Sequence, residues 1–282
     1  MKKLSYLIIL TVSIFWIGCE SKPQEEDSHV PLENAIEASP KQMLTDAYQL
    51  FKEGDDEASI KLANEVLRLG RETENDTLIG KALTSLCRNA QRKLDTTSLA
   101  ELSTQLEDLS KTTGNRQWMM YRAHMNAEMW RLIGDMERAE AFYNESLEIS
   151  HKTGAIGMYT IDHFNKSFVS TAKGDFDAAR DLIARYYELR KENSWNEEDA
   201  YGLIALAYLL EQQKNYKGAH EVAVVTRRLF KEQNLFPEPP DEKPLLMVEA
   251  KVKEELDPRS YKNIAEHSVK HNVSSLLEKF LK

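Results

Sequence analysis

Gly134-Asp135-Met136-Glu137-Arg138-Ala139 is answered forty residues later by Gly174-Asp175-Phe176-Asp177-Ala178-Ala179, and this pair decides the fold. The same two-residue mark recurs as Gly54-Asp55, Leu94-Asp95 and Lys214-Asn215, so five marks stand 40 residues apart without insertion or deletion. Asp and Asn suit tight turns because their short side chains bond nearby backbone, and Gly permits positive φ. Each mark therefore predicts the turn inside a helical hairpin. Other columns keep the step. Seven residues before each mark stand Ala47, Cys87, Ala127, Ser167 and Ala207, all small. Eight after it stand Leu62, Leu102, Phe142, Leu182 and Val222, and fifteen after it Leu69, Leu109, Ile149, Leu189 and Leu229. A small residue lets two helices approach, and larger residues on the next helix fill the space that remains. The expectation is an all-α solenoid of about five hairpins over residues 41–236.

These columns resemble the tetratricopeptide repeat family, in which a small residue in the first helix precedes a Gly-Asp or Gly-Asn turn by seven positions and an alanine opens the second helix. Ala139, Ala179 and Ala219 occupy the alanine place, and Ser59 and Leu99 depart from it. The period looks like a longer-helix variety of that family. The resemblance implies a right-handed solenoid whose first helices line an inner groove, and it implies an architecture without naming a partner.

After Leu229 the rhythm stops. Residues 237–244 carry four prolines and are expected to break the helical run. Residues 245–282 return to helical spacing, with Asp257-Pro258 as a helix start, and are expected to form a C-terminal helical cap, a degenerate sixth hairpin over the last exposed face.

The N-terminus follows a different logic. Lys2 and Lys3 precede an apolar run from Leu4 to Ile17 that is too short to cross a hydrocarbon core comfortably and suits a secretory signal peptide over residues 1–18. The ending Trp16-Ile17-Gly18-Cys19 resembles a lipobox, although Trp16 stands where that motif usually has Leu; the resemblance implies that Cys19 becomes a lipidated N-terminus. Residues 19–40, with Pro23, Pro31 and Pro40 and a Glu25-Glu26-Asp27 cluster, form an acidic tether. The expected location is the bacterial cell envelope, lipid-anchored at the outer membrane, on its periplasmic or its surface face.

Composition excludes some functions. Setting aside the first 18 residues leaves a net charge of −11, which disfavours a sequence-tolerant grip on nucleic acid. No phosphate loop, nucleophile elbow or zinc-spaced cysteine pair is present. His267 and His271 stand four apart, but Ser268 follows the first where a metalloprotease helix needs Glu, so no metal and no cofactor are expected. Cys87 falls in the small column and reads as a packing thiol. Enzyme chemistry is not expected.

That leaves the inner wall. Placed on the family pattern, it would carry Tyr48, Arg88, Tyr121, His124, Glu128, Arg131, Phe164, Phe168, Tyr201 and Tyr208. Aromatic and Arg residues concentrate binding energy, and a helical or extended peptide fits such a groove. A competing reading turns Phe164 and Phe168 into the core, because His163 and Lys166 stand where apolar packing belongs. The expected function is a membrane-anchored scaffold or assembly factor that binds a protein or peptide partner. The alternatives are a peptide-sensing module acting on a signalling partner in trans and, more remotely, a glycan-binding protein.

Overall fold

The computed structural model describes residues 39–196 and 198–281; the expected signal peptide, Cys19 and nearly all of the tether lie outside them. Among the described residues there are thirteen helices and no strand. Ten form five hairpins: α1 (Pro40–Glu53) with α2 (Asp56–Glu72), α3 (Asp76–Arg92) with α4 (Thr96–Thr113), α5 (Arg116–Ile133) with α6 (Met136–Thr153), α7 (Ile156–Ala172) with α8 (Phe176–Glu192), and α9 (Ala200–Gln212) with α10 (Tyr216–Glu232). Three more follow: α11 (Pro239–Glu255), α12 (Pro258–Ser268) and α13 (Val273–Phe280).

The marks do what their chemistry predicts. Gly54, Leu94, Gly134, Gly174 and Lys214 all lie at positive φ, between 55° and 94°, and end the first helix of each hairpin. The next residue caps the second helix: the side chains of Asp55, Asp95, Asp135, Asp175 and Asn215 accept from the backbone N–H three positions on. Each such cap contributes about 1 kcal/mol. A second series stands midway between the marks. Glu74, Gly114, Gly154, Ser194 and Asn234 also adopt positive φ, so the described chain reverses through a left-handed residue every 20 positions and nowhere else. Leu94 and Lys214 hold that conformation without being glycine, at roughly 1–2 kcal/mol each. The packing of the repeat therefore overrides local preference there.

Burial follows the columns. Ala47, Cys87, Ala127, Ser167 and Ala207 expose no surface. On the second helices the deepest columns begin with Ser59, Leu99, Ala139, Ala179 and Ala219, all fully buried, so the two departures from alanine still occupy the packing position. Each first helix touches the first helices before and after it, whereas successive second helices do not pack on one another in that way. The first helices thus form the inner wall of a curve and the second helices its outer layer.

Two boundaries differ from the sequence expectation. The prolines of residues 237–244 do not delay the helix: α11 starts at Pro239, because Pro239 and Pro240 occupy its first turn, where backbone N–H groups have no intrahelical acceptor. Pro244 is accommodated inside the helix. The C-terminal stretch also splits after Ser268, so His267 lies on α12 and His271 in the break, and the two do not share one helix. Asp257 caps α12 as its sequence suggests, accepting from the N–H groups of Arg259 and Ser260. α11 packs on α9 and α10 in the place of a sixth first helix, held by fully buried Leu245, Val248 and Val252, while α12 covers α10 and makes little contact with α11.

Candidate binding surface

The inner wall changes character along its length. In repeats one and two it is open and basic. Tyr48 on α1 is 46% exposed, the Arg88 guanidinium from α3 lies 5.7 Å from its ring centroid, and the Lys52 ammonium lies 5.4 Å from it. Tyr121 on α5 keeps part of its surface and stacks on buried Trp118, with ring centroids 6.2 Å apart.

In repeats three and four the same columns turn inward. Glu128 and Asp162 expose nothing, and His124, Phe164 and Phe168 are buried. His124, Glu128, Phe164 and Phe168 therefore do not line an open groove, contrary to the expectation from the family pattern. They close it. The Phe164 and Phe168 rings meet edge to face at 5.1 Å, Phe164 packs 5.5 Å from Tyr186, and Phe168 lies under the Arg131 guanidinium at 5.5 Å. This is the core reading that His163 and Lys166 suggested. The physical cause is what stands over them: Gln91, Arg131 and Tyr143 enclose Glu128, Asp162 meets His124, and Tyr186 and Tyr208 pack on Phe164 and Phe168.

Charge is buried with them. Arg131 Nη2 donates to Glu128 Oε2 at 2.7 Å, Gln91 Nε2 donates to the same oxygen at 2.6 Å, and the Tyr143 hydroxyl donates to Oε1. Burial disfavours the Glu128 carboxylate, but Arg131, His124 and the Tyr143 hydroxyl outweigh it and hold its pKa below the usual range. His124 Nδ1 meets Asp162 Oδ1 at 2.6 Å. Burial likewise opposes the imidazolium, and Asp162, with help from Glu128, raises its pKa in spite of it. Two atoms of this cluster, Arg131 Nε and Asp162 Oδ2, are buried without a hydrogen-bond partner among the described residues.

α11 completes the closure. Glu238, just before it, accepts from Arg92 Nη2 at 3.1 Å across 146 residues of sequence, and Arg92 also holds Asp56 and the Phe51 carbonyl. The Tyr201 hydroxyl donates to the Phe236 carbonyl at 3.1 Å. Asp241 keeps part of its surface but is ringed by protein, and that enclosure, reinforced by Glu128, Glu238 and Asp199 and opposed by Arg131, pushes its carboxyl up to about 7.

Of the ten expected wall residues, Tyr48, Arg88, Tyr121, Tyr201 and Tyr208 retain accessible surface, Arg131 retains little, and the other four are buried. Sequence reasoning missed Asp162, Tyr143, Arg92 and Asp241. One signal was available for Tyr143: it interrupts a column otherwise filled by Ala63, Ser103, Ile183 and Ala223, in the same repeat where Glu128 interrupts an aromatic and basic column. Paired departures in one repeat point to a private contact. Cys87 is buried and its thiol is pushed up to about 12, which leaves no thiolate for nucleophilic work. No described helix is long and apolar enough to cross a membrane, and no group of three or more His, Cys, Asp or Glu among the described residues is placed to hold a metal.

Fold and wall together define an all-helical repeat solenoid with a charge-filled centre and an open inner face at its N-terminal end. No protein-family model matches the chain, and no curated protein matches it.

Proposed function

We propose that the chain is a non-enzymatic interaction module of the tetratricopeptide type, anchored to a bacterial envelope membrane through Cys19 and holding a protein or peptide partner on the inner wall. The observation that carries this reading is the run of accessible aromatic and basic side chains on successive first helices: Tyr48, Arg88, Tyr121 and, beyond the closed centre, Tyr208. Tyr and Arg join a broad contact face to a polar tip, which suits partner recognition more than turnover. The buried Glu128–Arg131 and His124–Asp162 pairs fit a specifying core, since neither leaves a reacting atom open to a substrate.

A photo-crosslinking residue at Tyr121 or Tyr208, activated in the native envelope, is expected to capture one recurring partner, while the same residue at exposed Glu101 on the outer layer captures none of it. A partner reached equally from Glu101, or none reached from either wall position, overturns the proposal. The anchor is tested separately by the mass of the mature N-terminus, which should show acylated Cys19.

A further inference from the structure

The open end of the inner wall carries more positive charge than its surroundings use. Lys52 and Arg88 both lie against the Tyr48 ring, and no carboxylate among the described residues forms an ion pair with either. Arg88 differs in this from Arg92, Arg122, Arg131 and Arg227, each of which has a carboxylate partner. An exposed ring flanked by two unneutralised cations is a site for an acidic segment with some apolar content, because the carboxylates meet the cations and the apolar groups lie on the ring.

Such a segment is covalently attached a short distance away. Between Pro23 and Pro40 the chain carries Glu25, Glu26, Asp27, Glu33 and Glu37, no Lys or Arg, and the apolar residues Val30, Leu32 and Ile36. It enters α1 at Pro40, and Tyr48 lies eight residues into that helix, about 12 Å along its axis. The seven residues from Glu33 to Ser39 reach about 20 Å when extended, and the thirteen from Asp27 reach about 40 Å. Both lengths suffice to fold back over the first two turns of α1. Short tethers of this kind present their ends at roughly millimolar effective concentration, enough to populate a contact made of weak rim ion pairs.

We propose that residues 25–37 dock on the patch formed by Tyr48, Lys52 and Arg88. This inference is independent of any partner: it concerns which segment of the chain covers the patch, and it stands or falls on an intramolecular contact. Its consequence for the proposed function is that a partner using Tyr48 and Arg88 competes with the tether, whereas one using Tyr121 and Tyr208 does not.

The test uses the full chain with p-benzoylphenylalanine in place of Tyr48, irradiated at low protein concentration and mapped by mass spectrometry of the digest. The expected result is an intramolecular adduct within residues 25–37. Neutralising the segment (E25Q, E26Q, D27N, E33Q and E37Q together) is expected to lower its yield about fivefold or more, and 0.5 M salt should do the same. Arg88→Glu in the crosslinking background should lower the yield comparably while the circular dichroism of the body is unchanged. An adduct confined to other segments or to a second molecule, no adduct, or a yield indifferent to the carboxylates and to salt each overturns the proposal. A failure here leaves capture of a partner from Tyr121 or Tyr208 unaffected.

Discussion

Tyr48 and Glu128 occupy the same column of the repeat, one residue after the small packing position, yet Tyr48 is 46% exposed and Glu128 exposes nothing. The backbone around them is alike: both sit on first helices that end in a left-handed glycine followed by a capping Asp. What differs is what stands over them. Among the described residues no helix precedes the one that carries Tyr48, whereas Glu128 is met by Gln91 from α3, by Tyr143 from α6 and by Arg131 on its own helix, with the Asp241 charge at the start of α11 close enough to act on it. Repetition fixes where a side chain leaves the backbone. What the neighbouring helices place over it fixes whether water reaches it.

The largest test of this contrast removes the central carboxylate. Glu128→Ala leaves Arg131 buried with no ion partner, and breaking a buried pair in this way costs about 3–5 kcal/mol. The chain should lose stability accordingly, and amide exchange should accelerate first in α5, α6 and α7, which share the cluster. A loss under 1 kcal/mol would mean that water already reaches Arg131, and the distinction between the two regions would fail.

Asp162→Asn should cost less, about 1–3 kcal/mol, because His124 can shed its proton where Arg131 cannot. Its pH dependence is more telling. With the native His124 pKa raised above its unfolded value, the pair's contribution is fully present below that unfolded value and fades as pH rises through the native one. The destabilisation by Asp162→Asn, measured by urea unfolding, should therefore be greatest in mild acid and shrink toward alkaline pH. A penalty that stays constant with pH would argue that His124 is neutral throughout.

At the closure, Asp241→Asn should act in the opposite direction. A carboxyl pushed up to about 7 from 3.8 holds its proton more tightly in the native state, so the ionised side chain lowers stability as pH rises between those values and the deficit is constant above them. The Asn variant should be the more stable one, by a Tm gain of a few degrees at pH 8, at about 2–4 °C for each kcal/mol in a chain of this size, and the gain should shrink toward pH 4. A gain that does not vary with pH would place its source outside this titration.

The five hairpins were legible in the sequence because the mark, the small column and the alanine column are local features repeated without slippage, and a local pattern survives in one dimension. Even Leu94 and Lys214, poor choices for positive φ on their own, could be assigned from the register of their neighbours. The site was legible only in part. Tyr48, Arg88 and Tyr121 keep accessible surface on the first helices where the pattern set them. His124, Glu128, Phe164 and Phe168 were misplaced as groove residues because their burial depends on Asp162, Gln91, Tyr143, Tyr186 and Tyr208 reaching them from other helices, and no column records such contacts. Pro237, Pro239, Pro240 and Pro244 pointed to a break for a related reason: proline opposes a helix interior, but its place at a helix start depends on where the preceding turn ends, and that turn is set by Asn234 at positive φ.

The smallest expected effect is the most discriminating for function. Tyr48→Ala removes a half-exposed ring whose neighbours in the described body include Phe51 at 6.4 Å, Lys52 and Arg88. Surface changes of this kind fall within about 0.5 kcal/mol, so thermal and urea unfolding should barely move. Glu128→Ala, by contrast, should disturb the fold and leave the accessible wall chemically intact. If Tyr48→Ala proved as damaging as Glu128→Ala, the first repeat would be as enclosed as the centre and would have no face to offer a partner. If instead stability holds while capture from Tyr121 weakens, the open end of the wall contributes recognition and the closed centre contributes the rigidity that presents it.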